Sequence, residues 1–313
     1  MHIPDGFLDT KVIIATAALT VIGVGAAWRQ TKKQLPQRQI PLLGLAAAFV
    51  FAAQMLNFPV AGGTSGHLLG AVLISVLLGP SAAIIVMTAV LVVQCFLFAD
   101  GGVLALGANI FNMAVMGVLV GNAIYRSVLR ILGGERGRIA AVAVAIASWG
   151  SVLAAALCCA GELAWSGTVA WQTAFPAMAG IHALIGVGEA VIACLVITAI
   201  KKTRPELLAV NSGPLQARTT ATVIVYGIVI ALGLVIFVAP FASAWPDGLE
   251  TVAAKFGFDR QALAQPLVPS LIPDYNFPGL DSAALATIAA GIAGVAVVLL
   301  LVFFLSRRLK GKT

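Results

Sequence analysis

The chain has 313 residues, of which 60% are hydrophobic and 10% charged, against about 45–50% and about 25% in soluble domains. That composition excludes an ordinary water-soluble core and points to burial in lipid, where each spanning segment has to satisfy its own backbone. The formal charge of +7 does not indicate nucleic acid, because a nucleic-acid binder gathers its basic residues on one solvated face, whereas here they are spread in clusters between apolar runs.

The opening stretch, MHIPDGF, precedes every apolar segment. A secretory signal would begin with a basic region, but residues 1–10 carry Asp5 and Asp9 and only His2 as a cation, so this arm is expected to be retained. Apolar segments follow at 11–28, 40–57, 67–79, 81–98, 103–125, 139–160, 174–200, 219–241 and 283–306. They predict an all-α integral membrane protein of nine transmembrane helices, seven in a first unit and two in a second. The run 67–98 is too long for one span, and Gly79-Pro80 divides it, since proline ends a helix at the preceding residue. At 1.5 Å per residue the 67–79 piece covers about 20 Å of a hydrocarbon layer about 30 Å thick. It is therefore expected to start inside the protein, with His67 as its first residue.

Four basic clusters set the orientation: Arg29, Lys32, Lys33 and Arg38; Arg126, Arg130, Arg136 and Arg138; Lys201, Lys202, Arg204 and Arg218; and Arg307, Arg308, Lys310 and Lys312. With the break at Gly79-Pro80 all four fall on one side, which the positive-inside rule makes cytoplasmic. The N-terminus, the 58–66 loop, the 99–102 turn, the 161–173 loop and the 242–282 segment then face outward, with Lys11, Lys255 and Arg260, and the C-terminus is cytoplasmic. The polar run 202–218, KTRPELLAVNSGPLQAR, reads as a linker. It divides the chain into residues 1–201, the linker, and residues 219–313.

Two of the three histidines, His2 and His67, belong to the outer end in this topology. A chain beginning Met-His offers the α-amine of Met1, the deprotonated amide nitrogen of His2 and its nearer ring nitrogen as three corners of a square, and His67 can supply the fourth. Four nitrogens in a plane suit Ni(II) and Cu(II), and less surely Co(II), whereas Zn(II) prefers a tetrahedron and Mg(II) six oxygens. The bland reading of each histidine is a solvated or helix-capping residue. Gln94, Asn109 and Asn112 are candidates to hold an imidazole or the arm from behind, with inter-helix hydrogen bonding as the alternative. His182 and Glu189, two turns apart on one helical face, are read as coupling residues or as a structural network, because a carboxylate within a span needs a partner. Asp247, Glu250, Asp259, Asp274 and Asp281 can attract cations or form a solvated acidic loop. The four cysteines lack metal-binding spacing and read as small hydrophobes. GGERGR at 133–138 lacks the lysine and hydroxyl of a phosphate-binding loop, so no nucleotide is expected on this chain.

Taken together, MHIPDGF, GGTSGHLLGA, ALGANIFNMAVMG and HALIGVGEA resemble the CbiM/NikM family over residues 1–200. These are the substrate-capture (S) components of energy-coupling factor transporters for nickel or cobalt. WPDGLETVAAKFGF and PDYNFPGL resemble the PDGLE domain, an accessory (NikN-like) part. The resemblance implies metal binding by Met1, His2 and His67. It also implies uptake of nickel, or of cobalt for corrin synthesis, with a transmembrane coupling (T) subunit and cytoplasmic ATPase (A) subunits in the inner membrane, the metal site lying on the outer side. An intramembrane metalloenzyme using His2, His67 and His182 is the rival reading, weakened by the lack of an HExxH motif or paired carboxylates. A structural scaffold leaves the Met-His start unexplained.

Overall fold

Long runs of Ala, Val, Leu and Ile with few charges can bury their backbone only by closing helical hydrogen bonds, and that is how most of this chain is built. The computed structural model describes residues 1–34, 40–134, 137–207 and 217–309. Its helices are α1 (Thr10–Gln34), α2 (Ile40–Gln54), α3 (Ala71–Leu78), α4 (Pro80–Phe98), α5 (Leu106–Leu132), α6 (Gly137–Trp165), α7 (Trp171–Thr203), α8 (Ala217–Phe237), α9 (Gly248–Phe256) and α10 (Ala283–Leu309). Seven are long and apolar enough to cross a membrane: α1, α4, α5, α6, α7, α8 and α10. The other two apolar segments are shorter helices, α2 of 15 residues and α3 of 8.

Helix α4 is the centre of the bundle, buried at Ala83, Val86, Met87 and Val90, and α1, α2, α3 and α10 pack on it. Around it, α6 lies along α5 and α7, while α10 and α8 lie along α2. Ile14, Val21 and Ile22 of α1 and Val225, Val229 and Ile230 of α8 point outward, an apolar surface suited to acyl chains. The chain breaks between α3 and α4 at Gly79, which caps both helices. Lys32 and Lys33, Arg130, Lys201 and Lys202, and Arg307 and Arg308 occupy the last turns of α1, α5, α7 and α10, where cations complement the helix dipole. Arg38, Arg136, Lys310 and Lys312, and positions 208–216 of the expected linker, lie outside the described residues.

Two expectations need correction. The fold is not purely helical: Phe58–Val60 (β1) and Thr64–Gly66 (β2) form an antiparallel hairpin with Phe58 opposite Gly66. His67 is also not the first residue of a helix, because it follows β2 in a segment without regular structure and α3 begins at Ala71. The amides of Leu69 and Gly70 donate at 2.6 and 2.9 Å to the two carboxylate oxygens of Glu189 on α7. With those donors satisfied from outside, the segment has no need to be helical there.

Candidate metal centre

The N-terminal arm folds back into the end of the bundle and is held by backbone and side-chain hydrogen bonds. Ile3, fully buried, donates its amide to Asn109 Oδ1 at 2.8 Å, and its carbonyl accepts from Asn109 Nδ2 at 3.1 Å and from the Gly102 amide at 2.8 Å. The carboxylate of Asp5 accepts from the amides of Val103, Leu104 and Ala105 at 3.0, 2.8 and 3.3 Å, donors that the start of α5 leaves free. Gly6, at φ +100°, lies so close to the Gln261 carbonyl that any Cβ would collide with it. The arm is thus clamped between the first part of the chain and the segment joining α8 to α10.

The clamp brings the Met-His start against His67. The α-amine of Met1 stands 3.4 Å from His67 Nε2, and the His2 and His67 rings stack with centroids 5.2 Å apart and planes 28° from parallel. His67 Nδ1 pairs with the Leu68 carbonyl at 3.2 Å, so Nε2 is the atom presented to the amine. His2 Nδ1 is 3.0 Å from Asp100 Oδ1, and its Nε2 is 3.3 Å from Gln94 Oε1. The remaining contacts come from the second half of the chain. Asp247 forms an ion pair with the α-ammonium, and the Tyr275 hydroxyl donates to Asp100 Oδ2 at 2.6 Å while its ring stacks on Phe98. Asp247 also caps α9, accepting from the amides of Leu249 and Glu250. The strap ahead of α9 is tied to β2: the Ser65 amide donates to the Pro246 carbonyl at 2.8 Å and the Ser65 hydroxyl to the Trp245 carbonyl at 2.7 Å.

These surroundings set the charge states. Burial disfavours the charged α-amine, but the adjacent Asp247 carboxylate outweighs it and raises the amine above its ordinary value. Burial pushes His2 below the usual imidazole value against the pull of Asp100. Burial, helped by the neighbouring ammonium and by His2, takes His67 down to about 3. Burial works against the Asp247 charge too, yet the ammonium beside it holds the carboxyl below the usual range. At neutral pH both imidazoles are therefore unprotonated, with lone pairs available to a cation. Among the described residues no group of three or more His, Cys, Asp or Glu side chains is arranged to hold a metal.

Of the other expected positions, Gln94 touches His2 and Asn109 holds the arm, but Asn112 does neither. Its Nδ2 donates at 2.6 Å to Glu162 Oε2 on α6, since a π-helical turn over Ile110–Met116 separates the faces of the two asparagines. Glu189 stands behind His67 as an anchor, and His182 borders a small cavity together with Met1, His67, Asp247 and Gly248. Sequence reasoning did not single out Asp100 or Tyr275, and it read Asp247 only as one of several outer acidic residues able to attract cations or to form a solvated loop. The visible signal for Asp247 was its position before Gly-Leu-Glu, the pattern of a capped helix start.

Residues 2–207 match the family described as the cobalt uptake substrate-specific transmembrane region, CbiM, and residues 221–311 match the PDGLE domain. The chain belongs to the CbiM family. A putative fused nickel transport protein NikMN of Archaeoglobus fulgidus is 36% identical over 98% of both chains. The fused nickel transport protein NikMN of Rhodobacter capsulatus is 31% identical over 95% of both, and a cobalt transport protein CbiM of Lachnoclostridium phytofermentans is 38% identical over 40% of this chain and 51% of its own length. A crystal structure of a truncated transition-metal transporter superposes with a TM-score of 0.58 at 35% identity, covering 64% of this chain and 99% of that one. These relatives are metal transporters, not enzymes. As a CbiM-family member with seven apolar helices of spanning length, this chain is a multi-pass membrane protein of metal uptake, a part that works with partner subunits.

Proposed function

We propose that this chain captures divalent nickel as the substrate-specific component of an energy-coupling factor transporter. The α-amine of Met1, the amide and nearer ring nitrogen of His2, and His67 would hold the cation in one plane. The observation that carries this reading is the convergence of the Met1 amine, 3.4 Å from His67 Nε2, with the stacked rings of His2 and His67 at the end of a buried arm. Loading exchanges two contacts for metal bonds: the amine leaves Asp247, and His2 Nδ1 leaves Asp100. Gln94 then remains to accept from His2 Nε2, and Asn109 keeps the arm in place. We assign the capture unit to residues 1–201, the linker to 202–218 and the PDGLE part to 219–313, in nine membrane helices with the N-terminus and the site on the outer side of the inner membrane. Inward release would require a transmembrane coupling subunit and cytoplasmic ATPase subunits, since the chain carries no phosphate-binding loop of the required pattern. Nickel is preferred to cobalt because a plane of nitrogens suits Ni(II) better. The near full-length match to fused nickel transport proteins supports the same choice.

The test is metal analysis and absorption spectroscopy of the purified full chain with a native N-terminus, beside a variant with one residue added before Met1. The native protein should bind nickel as a diamagnetic square-planar centre and the extended one should not. A paramagnetic six-coordinate centre, or unchanged nickel affinity in the extended variant, would overturn the reading.

A further inference from the structure

His182 is 1% exposed and its two ring nitrogens have different fates. Nδ1 is 2.8 Å from the Met178 carbonyl one turn back on α7. A carbonyl accepts only, so Nδ1 carries the hydrogen and Nε2 the lone pair. Nε2 has no hydrogen-bond partner among the described residues, a costly state for a buried polar atom. It borders the cavity that Met1, His67 and Asp247 also line. The wall next to it is Gly248, where a Cβ would stand 2.7 Å from His182 Cε1 and 2.9 Å from Nε2. Glycine is thus what leaves the nitrogen uncovered, and it follows directly on Asp247.

We propose that His182 Nε2 and the Asp247 carboxylate form a holding site for the divalent cation beside the Met1–His2–His67 plane, at the cavity that both line with Met1 and His67. The proposal rests on the capture reading above, and it assigns His182 a step that reading does not use. The two donors are an imidazole and a carboxylate, a pair that suits Ni(II) or Co(II). Two protein donors against four make the site weaker than the plane, as a transit position must be if the cation is to move on. The strap that carries Asp247 joins α8 to α10 and brings the carboxylate, with Gly248 after it, to the wall of the cavity that His182 lines. Asp247 has a second part in the sequence of events: once its carboxylate turns to the cation, it releases the α-amine with which it forms an ion pair.

The experiment uses the full chain with a native N-terminus in detergent. Mixed rapidly with nickel chloride, His182→Gln and His182→Ala should reach the same final square-planar spectrum as the parent but load roughly 10–100-fold more slowly, the range seen when a residue supporting a metal site is removed. A second arm is independent of the plane. In His67→Ala, cobalt chloride should still bind weakly, and adding His182→Gln should weaken that residual binding by about tenfold or more. Loading at the parent rate in both His182 variants, or residual cobalt affinity indifferent to His182, overturns the proposal. A changed final nickel spectrum in His182→Gln also overturns it, because His182 would then belong to the plane itself. If the parent protein forms no square-planar centre, the capture reading fails instead, and the cobalt arm still reads the His182–Asp247 pair.

Discussion

The α-amine of Met1 cannot serve Asp247 and a metal at once, and that competition shapes the pH dependence of binding. Asp247 keeps the amine protonated above its ordinary range, whereas His2 and His67 are held neutral by burial. At pH 7 the imidazoles therefore have no proton to give up. Loading should release about two protons, one from the amine and one from the His2 amide. Affinity should accordingly fall as pH drops from about 8 to about 6 through those two groups, without a step at the ordinary imidazole value near 6.5. Calorimetry of nickel binding in buffers of different ionisation enthalpy counts the protons, and release of none would rule out the amine and amide as ligands. His67→Ala removes a donor outright and should weaken nickel binding beyond the roughly 10–100-fold that supporting residues cost, measured by competition with a chelator of known affinity. The Met-His start and His67 were legible because their chemistry is unusual whatever surrounds them. Asp100 and Tyr275 were not, because neither has a meaning until folding places one against His2 Nδ1 and the other against Asp100.

Among the elements, the junction before α3 shows how a span-like run can begin as something else. The apolar run made 67–79 a helix from His67 onward, but a carboxylate more than a hundred residues away takes the amides of Leu69 and Gly70. His67 is thereby left on an irregular segment, with its ring against the arm. Glu189→Ala should strand these two buried donors and cost about 1–3 kcal/mol for each that finds no water, read as a lower thermal midpoint in detergent. Because the same bonds position His67, nickel affinity should fall with it. Glu189→Gln, which keeps one acceptor oxygen, should lose less of both. Equal loss in the two variants would mean that the carboxylate acts only by filling space. The break at Gly79-Pro80, in contrast, was readable from two letters, since proline cannot continue the preceding helix.

For the whole molecule, the strap between α8 and α10 ties the second half of the chain to the first at β2 and at the arm. The proposed orientation puts that strap outside and the basic helix ends inside. With the four native cysteines replaced, Leu271→Cys should react with a membrane-impermeant maleimide in intact cells. Lys202→Cys should react only after the cells are opened. The reverse pattern would invert the topology and place the metal site on the cytoplasmic face.

Composition and charge spacing determined by themselves that this is a helical membrane protein, where its apolar segments run and which ends carry the basic clusters, because the bilayer imposes those constraints segment by segment. The Met-His start likewise offered its candidate donors without help from the rest of the chain. What surrounds those donors was decided only by tertiary structure. The pairing of Met1 with Asp247, of His2 with Asp100, and of Leu69 and Gly70 with Glu189 each joins residues far apart in the chain. Such contacts arise from the packing of helices and the closing of the strap, and a buried charge or amide takes whichever partner the completed fold brings within reach.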